Sequence, residues 1–206
     1  MTLGSLFALS YYMSYRMFAH KFEDRPTISK SELQTGDLIL FSHNMSRMTH
    51  NIVNIEYSHI AMVHRCPNTD ELSIMELTTS GDNYLSDNSP ALYDLNWRFD
   101  KYNGYISIRK LKDEYKPMFT ERRMKEVFDE LKDIEFDYSF TANFIKKNFL
   151  GISRDFDNSY CCSEFIYLFL SRLGVIEYDE DDIQDSFRLL STDFDDVWTE
   201  AYDLES

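Results

Sequence analysis

The stretch that most constrains the chain is Asn158–Gly174, NSYCCSEFIYLFLSRLG. Cys162, Phe165, Ile166, Phe169, Leu170 and Leu173 fall at helical spacing and line one face. Gly174 stands where a C-terminal cap belongs. A helix of this kind must pack on something, and Cys162 lies at its N-terminal end on the packed face. Free backbone N–H groups and the positive end of the helix dipole favour a thiolate there. The question for the rest of the chain is whether it brings a histidine to that sulfur.

The earlier half supplies two candidate partners. Gly36-Asp37 leads into Leu38-Ile39-Leu40-Phe41, a continuous apolar run that reads as a strand buried on both faces. Tyr57–Val63 (YSHIAMV) reads as a second strand. Alternation puts Tyr57, His59, Ala61 and Val63 on one face, and Ser58, Ile60 and Met62 on the other. Leu72–Thr78 (LSIMELT) reads as a third, with Leu72, Ile74, Glu76 and Thr78 on one face. A hairpin centred between Pro67 and Asn68 sets His59 opposite Glu76, and a slip of one residue would separate them.

Beyond the hairpin, 80–103 is rich in Asp, Asn and Ser and reads as a long loop, the kind that forms a lid or binding element. Tyr105–Arg109 is a further strand. Thr120 caps a helix with an apolar stripe of Met124, Val127, Phe128 and Leu131. Residues 136–150 are aromatic and partly helical. Tyr178–Asp185 is an acidic run, read as solvated surface because it lacks the glycine and terminal Glu of a calcium loop.

Length and composition narrow the classes. With 206 residues and 43% hydrophobic content, the chain suits one domain, here 23–206, preceded by an apolar segment, 1–22. Met1–Ala19 is broken by Ser5, Ser10, Ser14 and Arg16. Two readings stand for it: a helix packed on the domain, or a membrane anchor or interfacial helix. It has no basic residue before its apolar part, which disfavours a cleaved signal. If it spans, Arg16, His20 and Lys21 put the domain on the cytoplasmic side. A net charge of −15 argues against nucleic acid as partner. Three cysteines do not make a disulfide framework, so a reducing, cytoplasmic compartment is expected, with or without membrane contact through residues 1–19. His43, His50 and His64 share no ligand spacing with a cysteine, so no metal and no cofactor are expected. Cys66 and Cys161 read as turn or packing residues.

Cysteine nucleophiles need a thiolate, a histidine that exchanges protons with it, and a group that orients the imidazole. Cys162, His59 and Glu76 supply one of each. The segments TGDLILF, YSHIAMV, IMELT, FDYSF and YCCSEFIYLFL together resemble the circularly permuted NlpC-type thiol hydrolases, the YiiX-like branch of the papain-like fold, which has bacterial and poxvirus members. Gly36-Asp37, Ser58-His59, Glu76 and Cys162-Ser163-Glu164 match that family's elements in its permuted order, over roughly 35–174. A second cysteine, Cys161, stands where the family usually has another residue. Helical phase turns Cys161 about 100° from the apolar face and favours Cys162 as nucleophile.

The resemblance implies an α+β, permuted papain-like fold, with a small antiparallel sheet packed on the cysteine helix. It implies a hydrolase or acyltransferase acting on an amide or ester, with a peptide or lipid-derived substrate, through a thioester on Cys162. His59 would be the proton carrier and Glu76 its orienting group. The aromatic segments and apolar N-terminus favour an acylated substrate. The alternatives are a binding or scaffold protein that keeps the fold without turnover, and a protease acting on protein partners.

Overall fold

A computed structural model describes residues 25–43, 57, 59–78, 89–136, 159–177 and 195–205. The first elements are β1 (Thr27–Ile28) and a single 3₁₀ turn (Lys30–Glu32) capped by Ser29. They are followed by β2 (Leu38–His43), β3 (His59–Arg65), β4 (Leu72–Leu77) and β5 (Pro90–Asp94). Helix α1 (Leu95–Lys101) leads into β6 (Gly104–Leu111), and α2 (Glu121–Leu131) into the short β7 (Glu135–Phe136). A second 3₁₀ turn (Lys116–Met118) precedes α2, and the short β8 (Ser159–Tyr160), α3 (Cys162–Leu173) and β9 (Trp198–Leu204) complete the described elements.

The architecture is α+β. Seven strands form one sheet in the order β1-β9-β6-β2-β3-β4-β5. The sequence leads one to expect a small antiparallel sheet; the sheet has seven strands and is mixed. β9 adds to it from the acidic tail, and β1 runs parallel to β9. β7 and β8 make a separate parallel pair just before α3.

β2 is the middle strand, and its run Leu38–Phe41 is fully buried, as a continuous apolar strand requires. Burying each of these side chains contributes roughly 1.5–3 kcal/mol. Leu38 and Leu40 join Ile60, Met62, Met75 and Leu77 beneath α2 and α3. Ile39 and Phe41 join Ala61, Val63, Ile74 and Ile108 beneath α1, through Leu95 and Phe99. Tyr57 packs with the Ile60 and Met62 group rather than with Ala61 and Val63, because regular alternation starts only at His59.

The Gly-Asp turn before β2 is a staple. Gly36 has φ +91°, its N–H donates to the Val63 carbonyl at 3.0 Å, and its own carbonyl accepts from Trp198 Nε1. The buried Asp37 accepts from Leu111 N–H at 2.9 Å and Gln34 N–H at 2.8 Å, and pairs with Lys110 at 2.7 Å. One turn thus fastens β3, β6 and β9 to the start of β2.

The two helices over the Leu38 face form for local reasons. Thr120 caps α2, and Met124, Val127 and Leu131 are its buried stripe, with Phe128 only partly covered. α3 ends at Gly174, whose left-handed φ of +78° lets Val175 N–H close back on the Leu170 carbonyl. It is buried well beyond the one face expected, with Ser163, Glu164, Tyr167 and Leu168 covered too.

Residues 90–101 are not loop. Asp94 Oδ1 caps α1 by accepting Trp97 N–H at 2.7 Å, and β5 pairs along β4 from Pro90 to Asp94. Residues 80–88 of the expected loop lie outside the described residues. So do the 1–22 segment, Ser58, residues 137–150 and the acidic run. Among the described residues no helix is long and apolar enough to cross a membrane.

Candidate active site

The hairpin of β3 and β4 pairs Met62 with Met75, Val63 with Ile74 and Arg65 with Leu72. Extending that register sets Glu76 opposite Ala61, not opposite His59. The cause is a longer turn. Cys66 N–H donates to the Glu71 carbonyl, Asp70 N–H donates to the Cys66 carbonyl, and Asp70 adopts φ +60°. The shift is two residues, so face parity survives, and the two side chains meet on the diagonal. His59 Nε2 lies 2.5 Å from Glu76 Oε2.

Glu76 is fully buried and has a second partner that sequence reasoning missed. Arg98, from α1, donates Nε to Oε1 at 2.7 Å and Nη2 to Oε2 at 3.4 Å. The guanidinium is itself buried, 5.2 Å from the centre of the Phe41 ring. Phe41 also flanks His59, with ring centres 5.4 Å apart. A signal for Arg98 was present. Asp94 is a capping residue, and Leu95, Arg98 and Phe99 share one helical face, so an arginine stands inside an apolar stripe.

Cys162 is the first residue of α3, and Cys161 is its N-cap. The helix packs over the Ile60 and Met62 face, whereas His59 shares a face with Ala61 and Val63. The two side chains nevertheless meet at the open end of β3. Cys162 hydrogen-bonds to His59, and Ile60 N–H donates to its sulfur. With Nε2 engaged by Glu76, Nδ1 is the ring nitrogen left for the thiol.

Cys161 is not helical, so the phase argument does not apply to it, and it is as buried as its neighbour. Its N–H donates to Glu164 Oε2 at 2.6 Å, and its sulfur lies 3.2 Å from Ser163 Oγ. What separates the two thiols is their contacts. The hydrogen bond from Cys161 lowers the Cys162 pKa most; burial opposes it, and the His59 charge and hydrogen bond and the Ile60 N–H add to the lowering. The net result lies well below the ordinary thiol value. Burial, and then the adjoining Cys162, push Cys161 well above that value.

The partners shift in matching directions. Burial works against a charged His59, but the Cys162 thiolate, followed by Glu76, outweighs it and pushes the imidazole up to about 10. For Glu76, burial raises the pKa, and the His59 and Arg98 contacts bring it below the usual carboxylate value. These shifts favour a thiolate on Cys162 and an imidazolium on His59, joined to the Glu76 carboxylate and through it to the Arg98 guanidinium.

Among the described residues no group of three or more His, Cys, Asp or Glu side chains is arranged to hold a metal ion. No family model and no curated protein matches the chain. Among solved structures, the chain is similar to the crystal structure of the metalloprotein yiiX from Escherichia coli O157:H7. Identity is 14% and the TM-score 0.46, over 84% of this chain and 89% of that one.

Proposed function

We propose that the chain is a cysteine-dependent hydrolase or acyltransferase of permuted papain-like topology. Its substrate would be an amide or ester, from a peptide or from an acylated, lipid-derived molecule. The observation that supports this best is the His59–Glu76 contact at 2.5 Å, with Cys162 hydrogen-bonded to the same imidazole.

In this reading Cys162 attacks the carbonyl carbon as thiolate, and the backbone N–H of Cys162, which as a first-turn donor has no partner within the helix, donates to the developing oxyanion. His59 gives its proton to the leaving amine or alcohol as the tetrahedral adduct collapses to a thioester. It then takes a proton from the incoming water or acyl acceptor, and the second collapse releases product and restores the thiolate. Glu76 keeps Nε2 protonated, so that Nδ1 is the nitrogen that cycles.

The test is iodoacetamide labelling of the full chain near neutral pH, with the modified residue located by mass spectrometry. We expect selective labelling at Cys162, lost in Cys162→Ala, strongly slowed in His59→Ala and retained in Cys161→Ala. A Cys162 that reacts no faster than free cysteine removes the enzyme reading and leaves the scaffold one.

A further inference from the structure

Orienting an imidazole takes one carboxylate oxygen. Glu76 is held at both: Oε2 faces His59, Oε1 faces Arg98 Nε, and Arg98 Nη2 reaches back to Oε2. A buried guanidinium costs desolvation, and here it is stacked in place by the Phe41 and Tyr102 rings, at 5.2 and 6.0 Å. A device built so firmly around one carboxylate calls for a reason beyond orientation.

Counting charge supplies one. His59 is delivered by β3, Glu76 by β4, Arg98 by α1 and Cys162 by α3. The first turn of α3 adds Cys161 and Glu164, while β2 presents the Phe41 ring and the residue after α1 the Tyr102 ring. With Cys162 as thiolate and His59 as imidazolium, the set His59, Glu76, Arg98 and Cys162 sums to zero. Without Arg98 it carries one uncompensated negative charge in a buried place. Such a site favours taking up a proton, and uptake on Cys162 dismantles the reactive pair. Glu164 and Cys161 enter both counts equally and cancel.

We propose that Arg98 is a positioning residue: it ties Glu76 in one orientation and balances its charge, so that Cys162 remains a thiolate beside a protonated His59. The inference rests on the reading of Cys162 as nucleophile. Arg98 acts on the sulfur through Glu76 and His59.

The experiment follows the rate of Cys162 alkylation by iodoacetamide against pH, on the full chain, in wild type, Arg98→Met, Arg98→Lys, Glu76→Gln and Arg98→Met/Glu76→Gln. In Arg98→Met the acid limb should move up by about one pH unit or more, which is about fivefold in rate at the wild-type midpoint and about tenfold well below it. Arg98→Lys, which keeps the charge, should stay close to wild type. Glu76→Gln leaves the cluster one charge positive and should move the limb down, and the double variant should return it toward wild type. A folded Arg98→Met with the wild-type limb overturns the proposal. If Arg98→Met does not fold, identical limbs in Glu76→Gln and in the double variant overturn it instead. An unreactive wild-type Cys162 overturns the nucleophile reading itself. A reactive wild type with an unmoved limb overturns only the role of Arg98.

Discussion

The Trp198 indole donates to the Gly36 carbonyl at 3.0 Å, tying the strand nearest the end of the described chain to the turn that launches β2. Both partners are buried at that contact, and the same turn exchanges two hydrogen bonds with Val63, at 3.0 and 2.8 Å. Since β3 also carries His59, the staple at one end of the strand sets the position of the catalytic candidate at the other.

Gly36→Ala should therefore destabilise the fold. A Cβ there would lie 2.7 Å from Leu111 Cδ2 and 3.1 Å from the Phe119 ring, on a backbone held at φ +91°. Strain of this kind costs on the order of 1–3 kcal/mol. Urea unfolding followed by tryptophan fluorescence measures it. A loss too small to resolve would mean that the turn relaxes freely and does not fix β3.

The ionised pair makes a specific prediction about stability and pH. His59 is raised from 6.5 to about 10, so its contribution is full below pH 6.5 and is lost as pH rises toward about 10. Cys162 is lowered well below 9.0, so its contribution is full above pH 9.0 and is lost as pH falls through the folded value. Between 6.5 and 9.0 one gain offsets the other. The stability of wild type relative to Cys162→Ala/His59→Gln should be level across that window and fall away on both sides. Chemical denaturation from pH 5.5 to 10 checks the shape. A difference that climbs or falls steadily through the window contradicts the ion pair.

Glu76→Gln should cost more stability than His59→Gln. Loss of the carboxylate strands the buried Arg98 guanidinium, and an uncompensated buried charge costs roughly 3–5 kcal/mol. Loss of the mostly buried imidazole leaves Glu76 still paired with Arg98. Denaturant midpoints at pH 7 decide the order, and equal losses would mean that Arg98 finds water or another partner once Glu76 is gone.

Cys161→Ala should keep Cys162 reactive but weaken the thiolate. The hydrogen bond from the Cys161 thiol is the largest single contact holding the Cys162 pKa down. The acid limb of Cys162 alkylation should rise by about half to one pH unit, in line with one lost hydrogen bond of ~1 kcal/mol. An unchanged limb would return Cys161 to a packing role.

The elements with strong periodicity were legible in the sequence. β2 declares itself by an unbroken apolar run, α3 by its stripe and Gly174, and β3 and β4 by alternation. The face shared by His59 and Glu76 was legible too, although their register was not. That register depends on the left-handed Asp70 in a turn longer than Pro67-Asn68, which no periodicity reports. β5 and α1 were hidden because an edge strand with Leu92 half exposed and a seven-residue helix carry weak patterns. β9 was masked by its acidic composition; only Trp198 at its start is fully buried. Arg98 went unread for the same reason as α1: the helix that presents it was taken for loop.

The place of β9 in the sheet has a consequence for how the molecule is made. β1 emerges from the ribosome early, yet the described neighbour it pairs with is β9, which is translated more than a hundred residues later. The hairpin bearing His59 and the helix bearing Cys162 are both synthesised before that strand exists. A nascent chain can thus pair β2, β3 and β4 while β1 still waits for the strand that joins it to the sheet, and a chain ending ahead of Trp198 would display that unfinished state.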